Sequence, residues 1–91
     1  MRSKYYTTYT EAVSTVYEQL EKQGYEINGD DWFRQVNTGG KPKPGETKSS
    51  FGIGLSKDGK ILRKCLHIQV YHIEMPAFSP TDKYELNWYI S

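Results

Sequence analysis

The dipeptide Asp58-Gly59 constrains the fold most strongly, because it is a strong signal for a type I′ turn and alternating residues flank it on both sides. A two-residue loop at this dipeptide predicts a long antiparallel hairpin and fixes its register. On one face the predicted pairs are Leu55 with Leu62, Ile53 with Lys64, Phe51 with Leu66, and Ser49 with Ile68. On the other face they are Gly54 with Arg63, Gly52 with Cys65, and Ser50 with His67. A slip of one residue would mix the two faces, so the turn and the pattern agree.

A second pattern predicts a helix near the N-terminus. The sequence Thr8-Tyr9-Thr10-Glu11 has the form of a capping box, in which the Thr8 hydroxyl meets the amide of Glu11. Apolar residues then recur at steps of three and four and form one stripe: Tyr9, Ala12, Val13, Val16, Tyr17 and Leu20. Gly24 supplies the left-handed residue that commonly ends a helix.

The remaining segments predict short strands and connections. Residues 25–27 are extended, residues 28–31 form a turn, and residues 32–36 form a strand by their aromatic and alternating character. Residues 75–82 contain two prolines and form a connection, after which residues 84–91 alternate as a last strand. The fold class is therefore α+β, with an N-terminal helix packed on one face of an antiparallel sheet of about four strands. The predicted helix-facing residues are Phe51, Ile53, Leu55, Leu66, Ile68, Val70, Leu86 and Trp88.

Length and composition limit the class of protein. A chain of 91 residues with 13 aromatic side chains is one globular domain rather than a disordered segment. No apolar run approaches the roughly 18 to 20 residues that span a bilayer, and the first residues do not resemble a secretory signal, so we expect a cytoplasmic protein without a membrane contact. Cys65 is the only cysteine, which excludes an internal disulfide and argues against a zinc site. We predict no metal and no cofactor, and a small protein of this kind fits an accessory protein of a phage or mobile element.

The near-neutral net charge of +1 conceals a strong segregation of charge along the chain. Residues 1–33 carry a net charge of −3, residues 34–64 carry +6, and residues 65–91 carry −2. Within the basic middle, residues 37–46 contain three glycines and two prolines, which excludes a helix or a central strand. The sequence therefore predicts a mobile basic loop over residues 38–48.

A single helix leaves the second face of the sheet uncovered, and we expect function to lie there. The predicted residues of that face are Ser50, Gly52, Gly54, Arg63, Cys65, His67, Gln69, Tyr71, Glu85, Asn87 and Tyr89. Combined with the basic loop, this face gives the candidate binding residues Lys41, Lys43, Lys48, Arg63, His67, Tyr71 and Tyr89.

Two kinds of binding function fit these residues. The favoured hypothesis is a non-catalytic protein-interaction module or homodimer, because 10 of the 13 aromatics are Tyr or Trp, which are enriched at interfaces. The alternative is binding of single-stranded RNA or DNA, with lysines on phosphates and rings stacked on bases. The pI near 7.8 speaks against that alternative. A metal-free ribonuclease-like site, with His67 and Glu85 as acid and base and Arg63 on the phosphate, has the least support, because no pattern places the two strands in register.

Overall fold

The computed structural model describes residues 4–74 and 81–91. The helices and strands follow in this order: β1 (Lys4–Tyr6), α1 (Tyr9–Lys22), β2 (Tyr25–Ile27), α2 (Gly29–Trp32), a π-helical turn (Phe33–Asn37), β3 (Thr47–Lys57), β4 (Lys60–His72) and β5 (Tyr84–Ile90). Most of the predicted proline-containing connection, residues 75–80, lies outside the described residues. Within the described ranges, no helix is long and apolar enough to cross a membrane.

The five strands form one antiparallel sheet in the order β1-β5-β4-β3-β2, and α1 packs on one face of it. The predicted α+β architecture is thus confirmed. The sheet has one strand more than expected, because β1 contains only three residues and its pattern is too short to detect. The order places β4 at the centre of the sheet, with β5 on one side and β3 on the other.

The core lies between α1 and the sheet. Four residues of the predicted helical stripe are buried there, namely Ala12, Val13, Val16 and Leu20. The sheet contributes Ile53, Leu55, Leu66, Ile68, Val70, Tyr84 and Leu86. Burying one such Val, Leu or Ile side chain contributes about 1.5–3 kcal/mol, so these residues are the main source of stability in a chain without disulfides.

Both predicted ends of α1 are confirmed. The Thr8 hydroxyl accepts a hydrogen bond from the Glu11 amide at 3.1 Å, and Gly24 has a φ of +89° after the last turn. This second value lies in the left-handed region, which glycine adopts without steric cost. The chain therefore leaves the helix at the point that the sequence indicates and enters β2.

The predicted strand at residues 32–36 is wrong, because this segment is helical. Asn28 caps it by accepting a hydrogen bond from the Asp31 amide at 2.9 Å, and Trp32 and Val36 lie four residues apart, a spacing that also suits one side of a helix. The segment covers the edge of β3 that β2 leaves unpaired: the amide of Gly54 donates to Asp31 Oδ2 at 2.9 Å, and the Ser50 hydroxyl donates to the Gln35 carbonyl at 2.7 Å. A strand edge that would otherwise invite pairing with other chains is thereby closed.

The hairpin turn is confirmed, but most of the predicted register is wrong. Asp58 and Gly59 both have positive φ, at 53° and 77°, and Lys57 pairs with Lys60. Two bulges then shift the pairing, first between Gly54 and Ser56 and again between Ser50 and Ile53. The observed pairs are Gly54 with Cys65, Ile53 with Leu66, Ser50 with Ile68 and Ser49 with Gln69.

The second bulge exchanges the faces of two neighbouring residues. Ser50, which we expected on the uncovered face, is only 2% exposed and lies on the helix side. Phe51, which we expected in the core, is 49% exposed and contacts His67 on the opposite side. Gly52, with a φ of +67°, provides the backbone conformation that allows this change.

Candidate binding surface

The face of the sheet opposite α1 is not covered by any element of the described ranges. We call it the open face; its residues are Tyr5, Ser49, Phe51, Arg63, Cys65, His67, Gln69, Tyr71, Glu85, Asn87 and Tyr89. The pairs place on it the predicted residues of β4 and β5 from Cys65 onward, whereas Arg63 lies in the stretch of β4 that has no regular partner on β3 and is assigned to this face by alternation from Cys65. The difference lies in β3, where the bulge brings Ser49 and Phe51, both predicted on the helix side, to this face and removes Ser50 from it.

Three rings form a cluster at the centre of the open face, which we call the ring cluster: Phe51, His67 and Tyr89. His67 pairs directly with Tyr89 across β4 and β5, and the two rings stack with centroids 4.9 Å apart and an angle of 21°. Phe51 joins them from β3, with its centroid 5.8 Å from that of His67. The sequence predicts His67 and Tyr89 but not Phe51, for which the only signal is the glycine that follows it.

The ring cluster is partly exposed and contains one unsatisfied polar atom. Tyr89 is 37% exposed, and Phe51 more so. The Nδ1 atom of His67 is buried and has no hydrogen-bond partner among the described residues. A buried polar atom without a partner costs free energy, so the ring cluster is not optimised for stability alone.

The two ends of the open face carry opposite charges. At one end Glu85 pairs with Tyr71 and with Tyr5. At the other end Arg63 lies four residues from His67 along β4, about 13 Å at the usual rise per residue. The ring cluster thus lies between an acidic and a basic end.

The structure does not assemble the ribonuclease-like arrangement that we considered from the sequence. Glu85 pairs with Tyr71, four residues along β4 from His67, so the two side chains start about 13 Å apart along the sheet. A proton shared directly between two side chains requires about 2.6 to 3.2 Å. Among the described residues, no cluster of His, Cys, Asp and Glu is arranged to hold a metal ion.

Lys48, one of the predicted binding residues, contacts the protein itself. Its ammonium group donates to three backbone carbonyls, those of Val36 at 2.9 Å, Thr38 at 2.9 Å and Gly40 at 2.6 Å. It also lies 5.2 Å from the centroid of the Tyr9 ring, and partial burial lowers the pKa of the ammonium group. This side chain holds the loop against β3 and has little capacity left for a ligand.

The loop that contains Lys41 and Lys43 is anchored on the helix side of the sheet. Pro42 is buried, and its carbonyl lies 3.0 Å from Nδ1 of His72, while the Gly45 amide donates to the His72 carbonyl at 2.8 Å. Lys41 lines a cleft next to the first turn of α1, and Lys43 is exposed in the loop. The structure therefore does not bring the loop lysines next to the ring cluster.

Tyr9 connects α1 to the helical segment that precedes this loop, and its ionisation should make the stability of the protein depend on pH. Its hydroxyl donates to the Val36 carbonyl at 2.8 Å, and burial raises its pKa from 10.0 to about 12. Because the folded pKa lies above the unfolded value, the contribution of Tyr9 is complete below pH 10.0 and is lost as the pH rises to about 12.

We expect Tyr9→Phe to lower the free energy of unfolding at neutral pH by about 0.5–1.5 kcal/mol, the usual range for one hydrogen bond. Urea unfolding of both proteins at neutral pH and at several values between pH 10.0 and about 12 is the measurement. The difference in the free energy of unfolding between the two proteins should shrink across that interval. Only the wild type has a buried phenol at position 9, and its neutral form is lost as the pH rises. An equal difference at every pH would show that Tyr9 titrates like an exposed tyrosine.

Comparison of the chain with protein-family models, with curated proteins and with solved structures finds no match.

Proposed function

We propose that the protein is a small non-catalytic binding protein that docks through its open face, and that a second copy of the chain is a partner that this face fits. The ring cluster carries the proposal. Three adjacent rings lie at the centre of a sheet face that the single long helix does not cover, with Phe51 and Tyr89 partly exposed. Aromatic residues at the centre of a patch with a polar rim are typical of protein interfaces.

The charges of the open face support docking between two copies. A two-fold axis in the plane of the interface, perpendicular to the strands and level with His67, would stack one ring cluster on the other. Residue 63 of one copy then lies opposite residue 71 of the other, because each is four positions from His67. Glu85 pairs with Tyr71, so Arg63 of one copy reaches the carboxylate of Glu85 in the second copy. Both symmetry-related contacts bring opposite charges together.

The size of the face is sufficient for such a dimer. A standard interface buries about 800 Å² on each partner. That is roughly an eighth of the 6080 Å² of accessible surface of this chain, and five strands at about 4.8 Å spacing supply a face of this order. Sheets packed face to face lie about 10 Å apart, a distance that an arginine and a glutamate side chain span together.

Sedimentation velocity over a wide range of protein concentration tests the proposal. We expect a monomer–dimer equilibrium that Tyr89→Ser weakens at least tenfold, since it removes half of the stacked ring pair. Phe33→Ser is the matched control, because Phe33 is 62% exposed but lies in the helical segment at the edge of the sheet. A wild-type chain that stays monomeric up to millimolar concentration would refute docking between copies.

A charge exchange tests the arrangement of the two copies. Arg63→Glu and Glu85→Arg should each weaken the dimer, because each places like charges opposite one another. The double variant should recover most of the lost affinity, since it restores both pairs with their signs reversed. Additive losses in the double variant would mean that the two side chains do not meet across the interface.

Single-stranded nucleic acid remains a second candidate, and one observation favours it. Phe51 and Tyr89 are partly exposed aromatic rings of the ring cluster, and exposed rings on a sheet are the groups on which unpaired bases stack. Fluorescence anisotropy of labelled single-stranded RNA and DNA, at roughly 50 and 200 mM salt, is the test. Binding that falls steeply with salt and is lost in Tyr89→Ser would favour this function over docking between copies.

A further inference from the structure

A cleft of about 730 Å³ opens on the helix side of the sheet, away from the open face. It lies between the first turn of α1, the loop that precedes β3, and the start of β5. We call this cavity the basic cleft; its polar lining includes Thr7, Thr8, Thr10, Asn37, Lys41, His72 and Lys83. The volume is within the range of about 300–1,000 Å³ that is typical of ligand sites.

The charges of the basic cleft are unbalanced. Lys41 and Lys83 come from distant parts of the chain and line the same cavity, whereas no Asp or Glu is among its lining residues. Neither lysine side chain forms an ion pair or a hydrogen bond with the described residues. Two ammonium groups at one cavity without a carboxylate raise the local potential and attract an anion.

Contacts elsewhere in the fold hold both walls of the cleft in place. On one wall, the three carbonyl contacts of Lys48 and the burial of Pro42 fix the loop around Lys41. On the other wall, the Lys83 amide donates to the Tyr6 carbonyl at 3.0 Å. A ligand would therefore meet side chains on an ordered backbone, which lowers the entropic cost of binding.

The hydrogen-bond partner of His72 indicates which of its two ring nitrogens carries the hydrogen. Its Nδ1 lies 3.0 Å from the Pro42 carbonyl, which can only accept, so Nδ1 carries a hydrogen. Nε2 then accepts in the neutral ring and donates in the charged ring.

We propose that the basic cleft binds the phosphate group of a small phosphorylated molecule. Two lysines and the hydroxyl of Thr10 line one cavity and are hydrogen-bond donors, a set that suits the oxygens and double charge of a phosphate better than a single carboxylate. Lysine binds phosphate as a point charge without a fixed direction. Because the cavity is several times larger than a phosphate ion, an organic body attached to the phosphate occupies the remainder.

Two-dimensional NMR of the ¹⁵N-labelled protein, titrated separately with inorganic phosphate, adenosine 5′-monophosphate and glucose 6-phosphate, tests the proposal. We expect saturable shifts at the amides of Thr8, Thr10, Lys41 and Lys83, with dissociation constants below about 1 mM for at least one organic phosphate. Adenosine without phosphate should cause no such shifts. Tighter binding of one organic phosphate identifies the class of organic group that the cleft prefers. Equal binding of all three shows that the cleft recognises the phosphate group alone.

Matched lysine variants distinguish a specific phosphate-binding site from nonspecific attraction of anions to surface lysines. Lys41→Gln and Lys83→Gln should each weaken binding about tenfold, whereas Lys43→Gln, in the same loop but outside the cleft lining, should change it less than twofold. Thermal melts confirm that each variant is folded. The proposal is overturned if all three variants weaken binding equally, or if no saturable shift appears up to about 20 mM of any of the three phosphates.

Discussion

Leu66→Ala is expected to lower the free energy of unfolding by about 2–4 kcal/mol. Leu66 is completely buried, pairs with Ile53 and faces α1 from the central strand of the sheet. Removing its side chain loses the transfer free energy of the buried carbons and leaves a cavity that strands on both sides prevent from closing. Chemical denaturation of the two proteins, with equal slopes, is the measurement.

Ile61→Ala is the control, because Ile61 lies on the same strand but is 87% exposed. We expect this variant to stay within about 0.5 kcal/mol of the wild type. If Ile61→Ala were as costly as Leu66→Ala, the loss of stability would not depend on burial. The pair of variants thus tests whether the Leu66 side chain lies in the core.

The elements with strong local signals could be predicted from the sequence. The capping residue and apolar stripe of α1, the turn at Asp58 and the alternation of β5 each depend on neighbours within a few positions. Alternation also indicated which residues of β5, and of β4 from Cys65 onward, lie on the open face, because the pairing of these residues with each other is regular. His67, Tyr71 and Tyr89 are therefore placed on the face that the sequence predicts.

The two bulges between β3 and β4, one with its extra residue on β3 and one with its extra residues on β4, could not be predicted in the same way. A bulge adds a residue to one strand only, and the side chains after it change face without any change in the local alternation. The glycines at positions 52 and 54 indicated a weakened strand but not where the irregularity would fall. The prediction that Phe51 faces the helix was therefore wrong, although its ring lies at the centre of the candidate binding surface.

The helical segment after Asn28 could not be predicted for a different reason. Trp32 and Val36 fit one face of a helix as well as alternate positions of a strand, so periodicity alone does not decide over five residues. The decision comes from long-range contacts: Asp31 accepts a hydrogen bond from Gly54, and Trp32 packs edge-on against Tyr17 at 5.0 Å. Contacts of this range are invisible to a local pattern.

The role of Lys48 was missed for a related reason, since a lysine in a basic segment is ordinarily solvated. In the structure Lys48 pairs with Val70, which points to the core, so its side chain passes beneath the loop and not into solvent. Lysine is long enough for its stem to cover apolar groups while the ammonium group reaches polar ones. Here the polar groups are the carbonyls of Val36, at the end of the helical segment, and of Thr38 and Gly40 in the loop.

Lys48→Met should therefore lower the free energy of unfolding by about 1–3 kcal/mol, since it keeps the apolar stem but removes a charged donor from three carbonyls. Amide hydrogen exchange should accelerate between residues 36 and 42, because the loop loses its anchor to β3. Lys43→Met, an exposed lysine of the same loop, should change neither measurement. If Lys48→Met left stability and exchange unchanged but weakened phosphate binding as strongly as Lys41→Gln, Lys48 would be a ligand-binding residue, as the sequence alone suggested.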